Sequence, residues 1–165
     1  MESTYSPISS LPLPDPREAD NFMIAIYGPD NPDGSKSESI TEALLRYMGN
    51  RGGIGNNQLA CMTGIDRGDI SRYLNNKRTI SKEHLCLICI ALRLMTCQQK
   101  YLFDLLKEPI PGTIGKPDER ECIIKHYMDG CFYDENMTVA HCIAQLDNAK
   151  EKGAARSVSY MEGGK

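Results

Sequence analysis

From Ser39 onward the chain is a succession of short amphipathic segments, each opened by a small polar residue and closed by glycine, asparagine or proline. This punctuation limits the fold more than any other feature of the sequence. A side-chain oxygen ahead of an apolar repeat accepts from the free N–H groups of a first helical turn, and a residue tolerant of positive φ ends the last turn. Ser39 stands three residues before Glu42, the spacing of a capping box, and Ile40, Leu44, Tyr47 and Met48 follow on one helical face. "GNRGGIG" (49–55) stops that helix, and Asn56 or Asn57 is placed to cap a second, "NQLACMT", ended by Gly64. Asp66 caps a third, with Asp69 at its positive N-terminal end and Ile70, Tyr73 and Leu74 on its buried face; Asn75-Asn76 closes it. Ser81 opens "KEHLCLICIALRL", apolar enough to be central. Thr96 with Gln99 opens "CQQKYLFDLLK", Asp118 with Glu121 opens "ERECIIKHYM", and a seventh segment runs from about Asn136 to Lys150. No stretch alternates as a strand does, and no useful repeat occurs. Helices this short are marginal alone and must pack on one another. The fold class is all-α.

Around this core, residues 1–36 are rich in Ser, Pro, Asp and Asn and are expected to form a largely disordered acidic arm, with "FMIAIY" able to dock as a short strand or turn. Residues 37–108 form one helical domain, 109–117 a proline- and glycine-rich linker, 118–152 a helical pair, and 153–165 a fraying tail. The last two helices can fold back on the domain or pair two copies of the chain, and their sequence does not decide which.

The net charge of -3 is unevenly spread. Residues 1–40 carry two basic and seven acidic side chains, whereas 57–93 carry six basic (Arg67, Arg72, Lys77, Arg78, Lys82, Arg93) and three acidic. A local basic patch is a better guide to nucleic acid than the total.

Seven cysteines, an odd number scattered through apolar helical patterns, do not read as a disulfide framework. No apolar run approaches the roughly 20 residues that cross a bilayer, and "MESTYSPISSLPLPDP" lacks the features of a secretory signal. The expected location is cytoplasmic, with no membrane partner. Cys86 and Cys89 have C-x-x-C spacing, yet they lie inside a strongly apolar helix and read as buried thiols. Cys122 and His126 share a helix face, and with His141 and Cys142 they have the chemistry of a tetrahedral zinc site should they meet. Packing at helix interfaces is the plainer reading, and no metal or other cofactor is assigned. No Ser/His/Asp order, phosphate loop or carboxylate pair points to an enzyme; "GNRGGIGN" joins helices and follows no strand.

Two short helices joined by "GID" satisfy the demands of a helix-turn-helix. Ala60 is small where the second helix crosses the first, Gly64 accepts positive φ, and Ile65, Ile70 and Tyr73 are spaced to lock the pair. The outer face of the second helix presents Arg67, Gly68, Ser71, Arg72 and Asn75. On these residues "LACMTGIDRGDISRYLNNKRTIS", followed by "LCLICIALRL", resembles the DNA-binding domain of the lambda-repressor-like (Cro/Xre-type) helix-turn-helix family over about residues 39–106. The resemblance implies a five-helix domain whose helix 66–75 enters the major groove of double-stranded DNA, a transcriptional regulator, and a possible homodimer. It further implies base-edge positions for Arg67, Gly68, Ser71, Arg72 and Asn75, and phosphate contacts from Asn57, Gln58, Lys77, Arg78 and Lys82. "KPDERECIIKHYMDGCFYDENMTVAHCIAQL" resembles a helical extension that follows such domains in some bacterial proteins. Two departures stand out: Asn76 replaces the family's usual Gly, and Asp69 places a negative charge close to the implied DNA face. That charge and the acidic arm favour the alternative, a protein-interaction module (antitoxin-like or adaptor) on the same fold. The tripeptide Arg67-Gly68-Asp69 is an adhesion motif only on an exposed loop outside the cell; here it reads as a helix start, and no integrin-type receptor is expected.

Overall fold

The computed structural model describes residues 10–15 and 38–163, with side chains up to residue 152. Among these residues the chain is all-helical, without strands. The helices are α1 (Ile40–Asn50), α2 (Asn56–Thr63), α3 (Arg67–Leu74), α4 (Lys82–Ala91), α5 (Thr96–Leu106), α6 (Glu119–Gly130) and α7 (Val139–Gly163). No helix is long and apolar enough to cross a membrane. The segment "FMIAIY" lies outside the described residues.

Four of the expected caps are present. Ser39 Oγ accepts from Glu42 N–H at 3.2 Å, Asp66 Oδ2 from Gly68 at 2.9 Å, Ser81 Oγ from His84 at 3.3 Å and Asp118 Oδ1 from Glu121 at 2.8 Å. Three helices begin differently from the expectation. Gly55, not an asparagine, is the N-cap of α2, and Asn56 is already helical. Helix α5 starts from Met95: Gln98 Oε1 accepts the Met95 N–H at 2.8 Å, which frees Gln99 from capping. Gln99 is instead buried and donates to Leu94 O (2.9 Å) and Met128 O (2.8 Å), stitching α5 to α6. Helix α7 begins at Val139, with Thr138 Oγ1 accepting from His141 N–H, and its backbone runs on to Gly163, past Lys150.

Helix α4 is the axle of the molecule, burying Leu85, Cys86, Ile88, Cys89, Ile90 and Ala91. Helix α2 packs on α3 and α4, α1 on α3 and α5, and α6 on α4. Helix α7 lies against α6 and also reaches α2 and α4. The C-terminal pair therefore folds back, and Ile124, Tyr127, Met128, Val139 and Cys142 share one apolar core with Leu44, Leu59, Ile70 and Phe103. Buried Glu38 anchors the entry to α1: Arg46 grips both its oxygens (2.8 and 3.0 Å), and Tyr101 of α5 donates to it at 2.6 Å.

Arg93 was counted above in the basic region, but it contributes nothing to the surface. It is 3% exposed and follows α4 in the left-handed conformation, with φ 51°. Leu94 N–H returns to Cys89 O and Arg93 N–H to Ile90 O, the two bonds of a Schellman closure. Its guanidinium donates to main-chain carbonyls: Leu11 (2.6 Å), Cys131 (2.8 Å), Asp134 (3.0 Å) and Glu135 (3.0 Å). One side chain thus ties the α6–α7 connection and residues 10–15 of the arm to the end of α4. Arg51 adds a second tie, donating to Pro12 O at 2.9 Å.

Candidate nucleic-acid interface

The turn between α2 and α3 is built as the sequence requires. Gly64 takes φ 75°, and its N–H returns to Ala60 O at 2.8 Å. Thr63, which is buried, donates its hydroxyl to Leu59 O (2.8 Å) and accepts from Ile65 N–H (3.2 Å), so this buried hydroxyl and the Ile65 N–H satisfy one another within the turn. Ile65 is buried beneath the turn, and Ala60 is buried on α2.

Helix α3 is then fixed from its inner side. Ile70, Tyr73 and Leu74 are buried. Thr41 of α1 donates to Tyr73 O at 3.0 Å, and the Tyr73 hydroxyl pairs with His84 Nδ1 of α4 at 2.7 Å. At the far end Asn76 takes φ 57°, with Lys77 N–H bonded to Arg72 O and Asn76 N–H to Tyr73 O. Asparagine is among the few non-glycine residues that enter this region readily, so the departure from glycine leaves the closure intact. The backbone of α3 is rigidly presented while its outer face stays open.

That face carries the expected residues. Arg67, Arg72, Asn75, Lys77 and Arg78 are exposed, and Gly68 and Ser71 half-buried. Asn75 Nδ2 donates to Ser71 Oγ at 3.1 Å. Asp69 lies in the first turn of α3, where a carboxylate favours the helix N-terminus, but the capping hydrogen bond there comes from Asp66. The Asp69 Oδ1 accepts from Arg72 Nη1 at 2.8 Å and from Arg78 Nη1 at 3.1 Å. The Arg67-Gly68-Asp69 triplet is therefore the first turn of a packed helix, with its carboxylate engaged by two guanidinium groups.

Gly68 has a local reason as well. A Cβ there would lie 2.8 Å from the capping Oδ2 of Asp66 and 3.6 Å from both terminal nitrogens of Arg72. Alanine would gain about 1 kcal/mol of helix propensity but would push the cap out of place, a loss of similar size.

Asn57 and Gln58 are exposed in the first turn of α2, as phosphate contacts require. Lys82 is less suited. It is half-buried at the start of α4 and lines a 190 Å³ cleft with Glu83, Asp118, Arg120 and Glu121. Carboxylates outnumber cations there, and Lys82 is not one of the two cations paired with Asp69.

The four candidate zinc ligands do not assemble. Cys122, His126 and His141 are exposed, Cys142 is buried, and His141 Nδ1 sits 2.6 Å from Asn136 O. Among the described residues no group of three or more His, Cys, Asp or Glu side chains is arranged to hold a metal. Cys86 and Cys89 are buried, together with Cys131 and Cys142 from the helical pair. Burial pushes the thiols of Cys86 and Cys131 up to about 12 and that of Cys142 to about 11, with Cys89 also well above its ordinary value. These are packing groups held protonated.

Arg93 is the structurally decisive residue that the sequence reading missed. The available signal was a lone charge inside "IALRLM", where an apolar run on both sides forces the side chain inward. No protein-family model, curated protein or solved structure matches the chain.

Proposed function

We propose that the protein is a sequence-specific DNA-binding regulator that places α3 in the major groove. The observation that carries this reading is the two-sided character of α3. Its inner face is locked to α1, α2 and α4, while its outer face offers Arg67, Ser71, Arg72 and Asn75, with Lys77 and Arg78 just beyond. Arginine is the usual bidentate reader of guanine, asparagine pairs with adenine, and exposed Lys and Arg at the margin suit phosphate. Gly55 supplies no capping side chain, so the first-turn N–H groups of α2 are suited to a phosphate oxygen beside Asn57 and Gln58.

With Lys82 among carboxylates, the cations suited to phosphate or base are Arg67, Arg72, Lys77 and Arg78. The salt slope is then about -4 or shallower per subunit, at roughly 0.9 per neutralised phosphate. Arg67→Ala is expected to flatten preference at one base position by about 1–3 kcal/mol. Lys77→Ala should weaken all sequences alike and reduce the slope by about 1. Selection from random duplexes at low salt, followed by titration over a salt series, measures both; a purified protein that enriches no sequence removes the reading.

A second reading keeps the fold as a protein-interaction module. It is favoured by Asp69, which spends two cations of the outer face on one carboxylate, and by the acidic surround of Lys82. Failure of duplex selection together with a stable protein complex that Arg67→Ala abolishes would establish it.

A further inference from the structure

Asp69 is the acidic residue of the first turn of α3, and both its ion pairs go to one oxygen. Arg72 comes from three residues further along the helix. Arg78 comes from the loop beyond the Asn76 closure, so a single carboxylate oxygen gathers two elements. The Asp69 side chain is 25% exposed, whereas those of Arg72 and Arg78 are 54% and 58% exposed. The carboxylate sits inside and the guanidinium groups outside.

A second observation fixes where Arg72 goes. Both its terminal nitrogens lie 3.6 Å from the position a Cβ would take on Gly68. The guanidinium is therefore folded back over the first turn of α3, with the Asp69 carboxylate beside it and the bare Gly68 backbone beneath it. An arginine on a helix surface otherwise samples many rotamers. Here it is brought to the end of α3 from which base edges are read in this docking geometry.

A surface made only to hold phosphate gains nothing from a carboxylate among its cations, because that charge weakens binding to every sequence. A carboxylate is useful where an arginine must be aimed. The planar fork has to match O6 and N7 of one guanine in both place and plane. Asp69 engages one of the five N–H donors of the Arg72 guanidinium.

Resting on the DNA reading above, we infer that Asp69 is a positioning residue that sets sequence preference by holding Arg72 over Gly68, aimed at a single guanine. Arg78 bonds to the same oxygen and keeps the carboxylate turned away from the phosphates. The protein gives up general affinity for orientation.

The test is random-duplex selection and salt-matched binding with wild type, D69N, R72A and the double variant, each checked by thermal unfolding. D69N should bind random duplex at least as tightly as wild type. It should also lose roughly tenfold preference at one base pair, within the range a bidentate arginine–guanine contact supplies. That base pair should be the one R72A flattens, and the double variant should lose nothing more there. D69E retains the charge but displaces the carboxylate by a methylene; it should reduce the same preference at unchanged general affinity, and it carries the test should D69N fold poorly. Uniformly tighter binding by D69N with an unaltered preference profile overturns the inference, as does a loss at a base pair that R72A leaves alone. A wild type that enriches no sequence removes the DNA reading, and this inference with it.

Discussion

Replacing Arg93 by methionine is expected to cost about 3–5 kcal/mol of stability, comparable to breaking a buried charge pair. Methionine keeps the aliphatic stem but supplies no donors. The carbonyls of Leu11, Cys131, Asp134 and Glu135 would each lose the N–H that now reaches them at 2.6–3.0 Å. Hydrogen bonds from a charged donor contribute about 1.5–3 kcal/mol each, and they are not additive across one guanidinium. Water entering the vacated site recovers part of the loss for the exposed rim of the 131–137 connection. The left-handed backbone at residue 93 remains strained in the variant, so no relief offsets the loss. Against a total stability of about 5–15 kcal/mol this is a large fraction. Urea unfolding measures it directly, and limited proteolysis should show new cleavage within 131–138. A variant within 1 kcal/mol of wild type would mean that the carbonyl fork is incidental. Lysine should rescue little, because a compact ammonium cannot span four carbonyls in a plane.

Stability should also fall steeply above about pH 9. The thiols of Cys86, Cys131 and Cys142 titrate in the unfolded chain near 9, whereas burial holds them to about 12, 12 and 11 in the folded protein. Between these limits the unfolded state binds fewer protons than the native state, so raising the pH favours unfolding. Each thiol contributes up to about 1.4 kcal/mol per pH unit, and the three together roughly 4. Well below pH 9 both states hold these protons and the thiols give no dependence. Cys89 and Tyr47, also raised by burial, act in the same direction. Urea midpoints at pH 8, 9 and 10, with reductant present, should fall slightly over the first interval and about three times as far over the second. Cys86→Ala should reduce the slope by about a third of the thiol contribution. A level midpoint through pH 10 would place these thiols in contact with water. Under native conditions at neutral pH, alkylation should reach exposed Cys122 and spare Cys86, Cys89, Cys131 and Cys142.

The sequence was legible where structure is set by neighbours along the chain. Ser39, Asp66, Ser81 and Asp118 cap as their spacing implies, because an Asp or Ser oxygen three residues or fewer from a free N–H needs no distant partner. The start of α5 was misplaced by one residue, since Thr96-Gln99 and Met95-Gln98 differ by a single step and only packing on α6 selects Gln99 for burial. The exposure of Arg67, Arg72 and Asn75 on α3 follows from helical period alone, with Gly68 and Ser71 half-buried between them. The partners of Asp69 do not, because Arg78 reaches it from a loop. The destination of the C-terminal pair depends on contacts with α4 and α2 far back in the chain, which no local pattern encodes. Arg93 was hidden for a related reason: its partners are backbone carbonyls, and any sequence supplies those.

The carbonyl fork of Arg93 and the shared core of α4, α6 and α7 bear on how this chain can be divided. The proline-rich stretch 109–117 looks like a seam between two modules, yet the helices on either side of it share one apolar core. Separating the pieces there would strip the cover from the apolar flank of α4 and leave Arg93, of its four closest carbonyl partners, only Leu11 O. The C-terminal end of α4 would loosen in turn. Moving the first five helices alone onto another protein would therefore carry the outer face of α3 away from the two helices that complete the shared core.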